Sequence, residues 1–503
     1  MIYRSSTRVL VNTIVQYVRS VVTILILLYT SRLVLLALGI EDFGIYSLIA
    51  GVVSLLAFIK DSLASTVQRY LSFYQGTGDL MKQTDILSNS FFIQLFISVF
   101  LVVILWYLEE PILQHFLNIS PDRLEAAKGV YYCMLFMLFF TMQSAPYFAL
   151  LIAHENIVYT SFVQVIDVLL KLFISFSLSS VSWDKLLHYA CLMSLVPLFD
   201  YVCYSIYCKR KYEELKGTSI LHVKRDVFKE MFSFTGWNIY SVGCIVGRSQ
   251  GVSLLLNRFM GVTLNAAYGI AQQVTGQITF LSSSLLNAIQ PQIVKAEGEG
   301  NRDKMFRLSE MASKFSFFLV GFVTIPSLFY MDRILSLWLG NIPDYAVMCC
   351  CYVLFAAWMD QLTIGLGIAN KALGKIQTYS IVVNTIKILT VPFAYLCLQN
   401  GLSVDSVFAC FVVFEVVCAL ARVILLKYQG GLSISRFCKN VFFYEIFPVI
   451  VLVGVSWACV RYVINDTYFL LTYFVVGVFF SLSIYCVGLT RSEKKSLKSL
   501  FLR

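Results

Sequence analysis

Among the ionisable residues inside the long apolar blocks of this chain, seven stand out: Arg19, Asp167, Lys171, Arg248, Asp360, Lys387 and Glu415. A charge at mid-bilayer costs roughly 2.5–3.5 kcal/mol on insertion scales, so such residues face a partner or a cavity and usually serve a function. Asp167 and Lys171 lie one helical turn apart and can pair on a shared face. They read either as an internal salt bridge or as part of a site. Arg19, Lys171, Arg248 and Lys387 supply cationic side chains, and a set of them suits an anionic ligand. The planar fork of arginine in particular fits phosphate or carboxylate. Gln272, Gln273 and Gln277 add the hydrogen-bonding capacity that sugars need. Asp167 and Asp360 are the candidates for binding a coupling ion. Glu415 reads either as a further member of the set or as a partner for a neighbouring helix. Lys314 sits near the end of its block and is expected to snorkel.

Other chemistry is missing from the pattern. No glycine-rich loop leads into Lys-Ser/Thr, so ATP is not expected as the direct energy source. No nucleophile stands beside a base in a motif with known mechanics. His115, His154, His188 and His222 are scattered. The 14 cysteines, including Cys349-Cys350-Cys351, show no metal-ligand spacing and read as small apolar helix residues. The expectation is a carrier, not an enzyme, with no metal and no cofactor.

The elements that must position these residues follow from composition. The chain has 503 residues, 58% hydrophobic and 14% charged. Soluble domains lie nearer 45–50% apolar and about 25% charged. The apolar residues fall into about 14 blocks of bilayer-spanning length, near 9–31, 43–60, 86–108, 129–152, 157–180, 186–207, 232–256, 265–288, 312–330, 345–368, 377–398, 404–427, 441–463 and 467–489. They are too long and too continuous for the alternating strands of a barrel. Only helices satisfy the backbone over such lengths in lipid. The expected fold is therefore all-α and polytopic. The first block begins near Val9, just after Arg4 and Arg8, and reads as a retained helix, not a cleaved leader. With both termini in the cytoplasm, about 27 Lys and Arg fall inside against about 7 outside. The outside set is Arg32, Arg123, Lys128, Lys185, Arg258, Arg333 and Arg461. The net charge of +10 is thereby a matter of topology, and nucleic acid is not an expected partner.

The basic stretch 209–231 divides two lobes of six blocks, 1–208 and 232–427, and 428–503 adds two more blocks and a basic tail. The lobes echo each other. Gly39, Tyr46, Gln68, Gly76 and Gly78 recur as Gly261, Tyr268, Gln290, Gly298 and Gly300 at a constant shift. Ile152-Ala153 and Lys171 recur as Ile368-Ala369 and Lys387, and Asn12 and Arg32 as Asn238 and Arg258. An even number of helices per repeat makes the repeat parallel, and two such lobes facing each other enclose a cavity that opens to either side in turn.

These features resemble a known group. Asn12 and Arg32 precede Gly39-x-x-x-Phe-Gly-x-Tyr46, and Gln68-Arg69-Tyr70 follows. Later come Ile368-Ala-Asn-Lys-Ala-Leu-Gly-Lys375 and Pro392. The pattern is diffuse but covers the whole chain. It resembles the polysaccharide transporter branch, the O-antigen and capsule repeat-unit flippases, of the multidrug/oligosaccharidyl-lipid/polysaccharide exporter superfamily. The resemblance implies a bacterial inner-membrane carrier for an oligosaccharide on undecaprenyl diphosphate. It implies alternating access, driven by a proton or sodium gradient, beside the polysaccharide polymerase and chain-length machinery. Arg19, Arg248, Lys171 and Lys387 would then attract the diphosphate or acidic sugars, and Asp167 or Asp360 would couple the ion. A lipid II-type flippase and a small-molecule or drug exporter of the same superfamily are the alternatives.

Overall fold

The computed structural model describes residues 2–54, 57–116, 121–218, 223–339, 342–462, 469–490 and 493–494. Helix is the only regular structure among them. In chain order the helices are α1 (Ile2–Ser54), α2 (Ala57–Thr77), α3 (Leu80–Tyr107), α4 (Leu124–Ala153), α5 (Ile157–Ser177), α6 (Lys185–Lys211) and α7 (Arg225–Met260). There follow α8 (Val262–Gly298), α9 (Arg302–Leu339), α10 (Ala346–Gln361), α11 (Ile364–Ala372), α12 (Ile376–Tyr379), α13 (Thr385–Ile388), α14 (Thr390–Gln399), α15 (Val404–Gly430), α16 (Ile434–Phe437), α17 (Phe443–Tyr462) and α18 (Phe469–Ser483).

Among the described residues, 10 helices are long and apolar enough to cross a bilayer, and the bent pair α10–α11 makes 11. The expected blocks not in that count also fall on helices: α1 beyond Gly39 with α2, α8, and α18 with its π-helical end. The chain is a multi-pass helical membrane protein. The basic stretch is shorter than its charge suggests. Helix α6 runs to Lys211 and α7 starts at Arg225, because the cationic residues extend each helix past its apolar part. Of the basic tail, only 493–494 lie within the described residues.

Contacts divide the chain into two compact units. One is Leu10–Ile239, and the other is formed mainly by the chain from Tyr240 onward. The division falls inside α7.

In the N-terminal unit α4 packs along α6 and against α2 and α3. Val34, Ile174, Leu178, Tyr189, Met193 and Val196 form one buried cluster, with Tyr46 packed on it. Buried Tyr131 donates to the Leu105 carbonyl at 2.7 Å. Arg123, at the head of α4, pairs with Asp42 at 2.5 Å and Asp184 at 2.9 Å, tying three connections together. Asn12 donates to the Glu155 carbonyl at 3.0 Å, bracing the turn between α4 and α5. His154 in that turn stacks on Tyr212 and lies 2.9 Å from Glu214. Burial alone would raise the Glu214 carboxyl, but the hydrogen bond with His154, a backbone hydrogen bond and the charge of His154 together outweigh it and hold Glu214 below its usual range. Arg69 of the Gln68-Arg69-Tyr70 motif is buried, with its guanidinium 4.5 Å from the Tyr70 ring and 5.1 Å from that of Phe234.

The C-terminal unit is built around Tyr268, Phe317, Trp358, Phe408, Phe411, Leu452 and Phe480. Trp358 stacks on Phe317 and donates its indole N–H to the Phe317 carbonyl at 3.1 Å. That bond satisfies the one polar atom of a buried indole. Helix α11 lies hard against α9. A Cβ on Gly365 would stand 2.2 Å from the Ser309 carbonyl and 2.9 Å from the Ser313 nitrogen. Backbone cannot yield cheaply, so Gly365→Ala is expected to destabilise this unit by about 1–3 kcal/mol. A lowered melting midpoint in detergent checks it, and an unchanged midpoint would mean that α11 lies further from α9.

The sequence echo has a structural counterpart. Gly39 has φ 83°, ψ 173°, and its counterpart Gly261 has φ 84°, ψ −175°. This region of backbone space is essentially reserved for glycine. Gly78 and Gly300, the second pair, have φ 75° and 71°. Each repeat therefore breaks its first long helix and makes its later turn with glycine in the same conformation.

Candidate functional site

In the C-terminal unit the intramembrane charges form one network. Glu415 on α15 is its hub. Arg248 of α7 places Nη1 2.6 Å from Glu415 Oε1, and Lys387 of α13 places Nζ 3.0 Å from Glu415 Oε2. Lys387 also reaches Asp360 Oδ1 at 2.9 Å, and Arg422 Nη2 reaches the same oxygen at 2.7 Å. Glu415 and Arg422 have side chains only 3% exposed. Three cations thus meet two carboxylates, and the network carries one positive charge in excess.

Backbone irregularities create this geometry. Helices α10 and α11 meet at a bend of 47° just after Asp360. The break frees the Asp360 carbonyl, and Arg422 Nη1 donates to it at 3.1 Å. A π-helical segment, Ser380–Asn384, lies just ahead of Lys387, and such segments alter the face on which later side chains emerge. Asn384 donates to Ser241, and Ser241 to Ser380, at 2.8 and 2.9 Å, fixing that segment against α7. Gln272 donates to the Tyr268 hydroxyl. Gln273 and Gln277 are exposed and stand outside the network.

The N-terminal unit holds the remaining candidates. Lys171 and Asp167 pair on α5 at 2.9 Å. Arg19 donates to Gln164 and, at 3.4 Å, to Ser20, both neutral; among the described residues it meets no carboxylate. Asp200 of α6 lies within electrostatic reach of Asp167, Lys171 and Lys60, and its Oδ1 has no hydrogen-bond partner among the described residues.

Sequence reasoning passed over Arg422 and Asp200. Both signals were visible. Asp200 is the one acidic residue of its apolar block, and Arg422 stands two helical turns after Glu415, on the same face. Lys314 corrects an expectation. It does not snorkel: it lies more than three turns inside α9, is 1% exposed, and pairs with Glu493 at 2.6 Å. Glu493 and the Tyr444 ring of α17 lie against its ammonium group.

Solved structures share this architecture. A MATE described in a bent conformation superposes with a TM-score of 0.71 over 87% of this chain and 95% of its own, at 13% identity. The fold is that of the MATE transporters. The MATE transporter ClbM, in complex with Rb+, gives a TM-score of 0.70 over 87% of this chain and 96% of its own, at 17% identity. A transporter of the MOP superfamily from Pyrococcus furiosus, whose binding pocket is described as reversed in polarity and as suggesting a different function, gives 0.67 over 85% and 96%, at 13% identity. No family model matches the chain, and no curated protein matches it. Helices α17 and α18 fall on the last two apolar blocks of the sequence, 441–463 and 467–489.

Proposed function

We propose that the protein is a membrane transporter for an anionic, sugar-bearing lipid. In this reading it moves oligosaccharide repeat units on undecaprenyl diphosphate from the cytoplasmic to the periplasmic leaflet of a bacterial inner membrane. The observation that carries it is the network around Glu415, which buries an excess positive charge in a MATE-like unit. Arg19, whose neighbours are neutral, is a second uncompensated cation, in the N-terminal unit. Arginine pairs with a diphosphate through two parallel hydrogen bonds, which gives orientation as well as energy. Arg248, Lys387, Arg19 and Lys171 are the proposed anion contacts, with Gln272 and Gln273 for the sugar. Asp167 and Asp360 remain the proposed sites for a coupling proton or sodium ion. Cytoplasmic termini, alternating access and work beside a polysaccharide polymerase belong to the same proposal.

A second reading has support of its own. The structures that share the fold include a multidrug resistance transporter of the MATE family, and this favours a small-molecule exporter over a lipid carrier. The Pyrococcus protein, described by reversed pocket polarity, gives a precedent for the same fold with a different function. The readings part on one experiment. A deletion strain that accumulates lipid-linked oligosaccharide on the cytoplasmic face supports the flippase. A strain with normal lipid-linked sugar and raised sensitivity to small toxic compounds supports the exporter.

A further inference from the structure

A second set of charges lies buried in the C-terminal unit, where α9 meets α17 and the segment that follows α18. Lys314 of α9 pairs with Glu493 at 2.6 Å and lies 5.2 Å from the Tyr444 ring. Glu310, one turn earlier on α9, accepts from Asn440 at 3.1 Å and pairs with Arg436 at 3.1 Å. Arg436 also reaches Asp303, which is open to solvent, at 2.6 Å. Glu445 on α17 is 2% exposed, and neither carboxyl oxygen has a hydrogen-bond partner among the described residues. The charge that faces it is Lys314.

The remaining described elements against α17 offer it no cation. Tyr473 of α18 is engaged with Ser327 at 2.8 Å, Lys494 donates to the Cys486 carbonyl at 2.8 Å, and Lys439 is exposed. Glu493 and Glu310 each have a cation of their own, Lys314 and Arg436. Glu445 has none. With every group ionised, the buried set would hold one negative charge in excess. A buried, unpaired carboxylate is far costlier than the neutral acid.

We propose that Glu445 is a proton-binding site, occupied while Lys314 is held by Glu493. The ligand is a proton, and the geometry does not suit a metal: among the described residues no group of three His, Cys, Asp or Glu stands close enough to hold one. The step is the addition of one proton to one carboxylate oxygen. When the proton leaves, two carboxylates compete for Lys314. The Lys314–Glu493 pair then weakens, and with it the seat of Glu493, whose Oε2 also accepts from the Thr490 N–H at 2.7 Å. The site thus links proton release to the hold on the segment after α18. It rests on this geometry and not on the transport reading.

Infrared difference spectra of the purified full-length protein test it. At neutral pH the wild type should show the carbonyl stretch of a protonated carboxyl, shifted in heavy water, and Glu445→Gln should lack it. If Glu445→Gln does not accumulate, Glu445→Asp should move the band. A spectrum with no such band, or a band unchanged in both variants, would overturn the proposal. So would loss of the band on adding sodium at fixed pH, which would make the ligand a metal cation.

Discussion

Glu415→Gln is expected to cost the protein its folded C-terminal unit. The substitution keeps the shape and removes the charge at the hub, so Arg248 and Lys387 both lose their 2.6 and 3.0 Å partner. Three cations are then left with Asp360 alone. Removing one member of a buried charge pair costs about 3–5 kcal/mol, because the partner left behind is desolvated and unpaired. The fraction of monodisperse protein recovered in mild detergent, and its melting midpoint, should both fall sharply. A rescue follows from the same arithmetic. Adding Arg248→Met to Glu415→Gln restores the original single positive excess, and the double variant should regain part of the loss. A Glu415→Gln protein that melts like the wild type would show that the network is not a closed set of pairs.

Arg248→Ala has the opposite profile: normal folding, lost transport. Without Arg248, Glu415 still has Lys387, and Lys387 and Arg422 still share Asp360. The network becomes neutral, two cations against two carboxylates, so the protein should insert and accumulate. What disappears is the excess positive charge that the proposed function assigns to an anionic ligand. A charge-assisted hydrogen bond contributes about 1.5–3 kcal/mol, so apparent affinity for an anionic substrate should fall about tenfold to a hundredfold. Surface polysaccharide, measured at matched protein amounts, reads it. Full export by this variant would remove Arg248 from the site. Lys substitution restores the charge but not the fork and should recover only part of the activity.

The elements of this fold are written openly in the sequence, because lipid demands long apolar helices whatever their tertiary partners. The paired glycines Gly39/Gly261 and Gly78/Gly300 were visible as an echo, and their shared backbone conformation is the reason for it. The site was legible only as separate charges. Arg248, Asp360, Lys387 and Glu415 each stand out in an apolar block. Their joining depends on the bend after Asp360 and on the π-helical segment before Lys387, and neither has a periodicity that the sequence displays. Lys314 shows the limit from the other side. Near the edge of an apolar block, a snorkelling lysine and a buried one look alike. The difference lies in Glu493, which comes from beyond the last apolar block and pairs with it.

The most direct measurement is the sidedness of undecaprenyl-diphosphate-linked oligosaccharide in cells depleted of this protein. Accumulation on the cytoplasmic face, with loss of surface polysaccharide and rescue by the wild type but not by Arg248→Ala, is the predicted result. Lipid-linked oligosaccharide in normal amount and normal orientation would contradict the account.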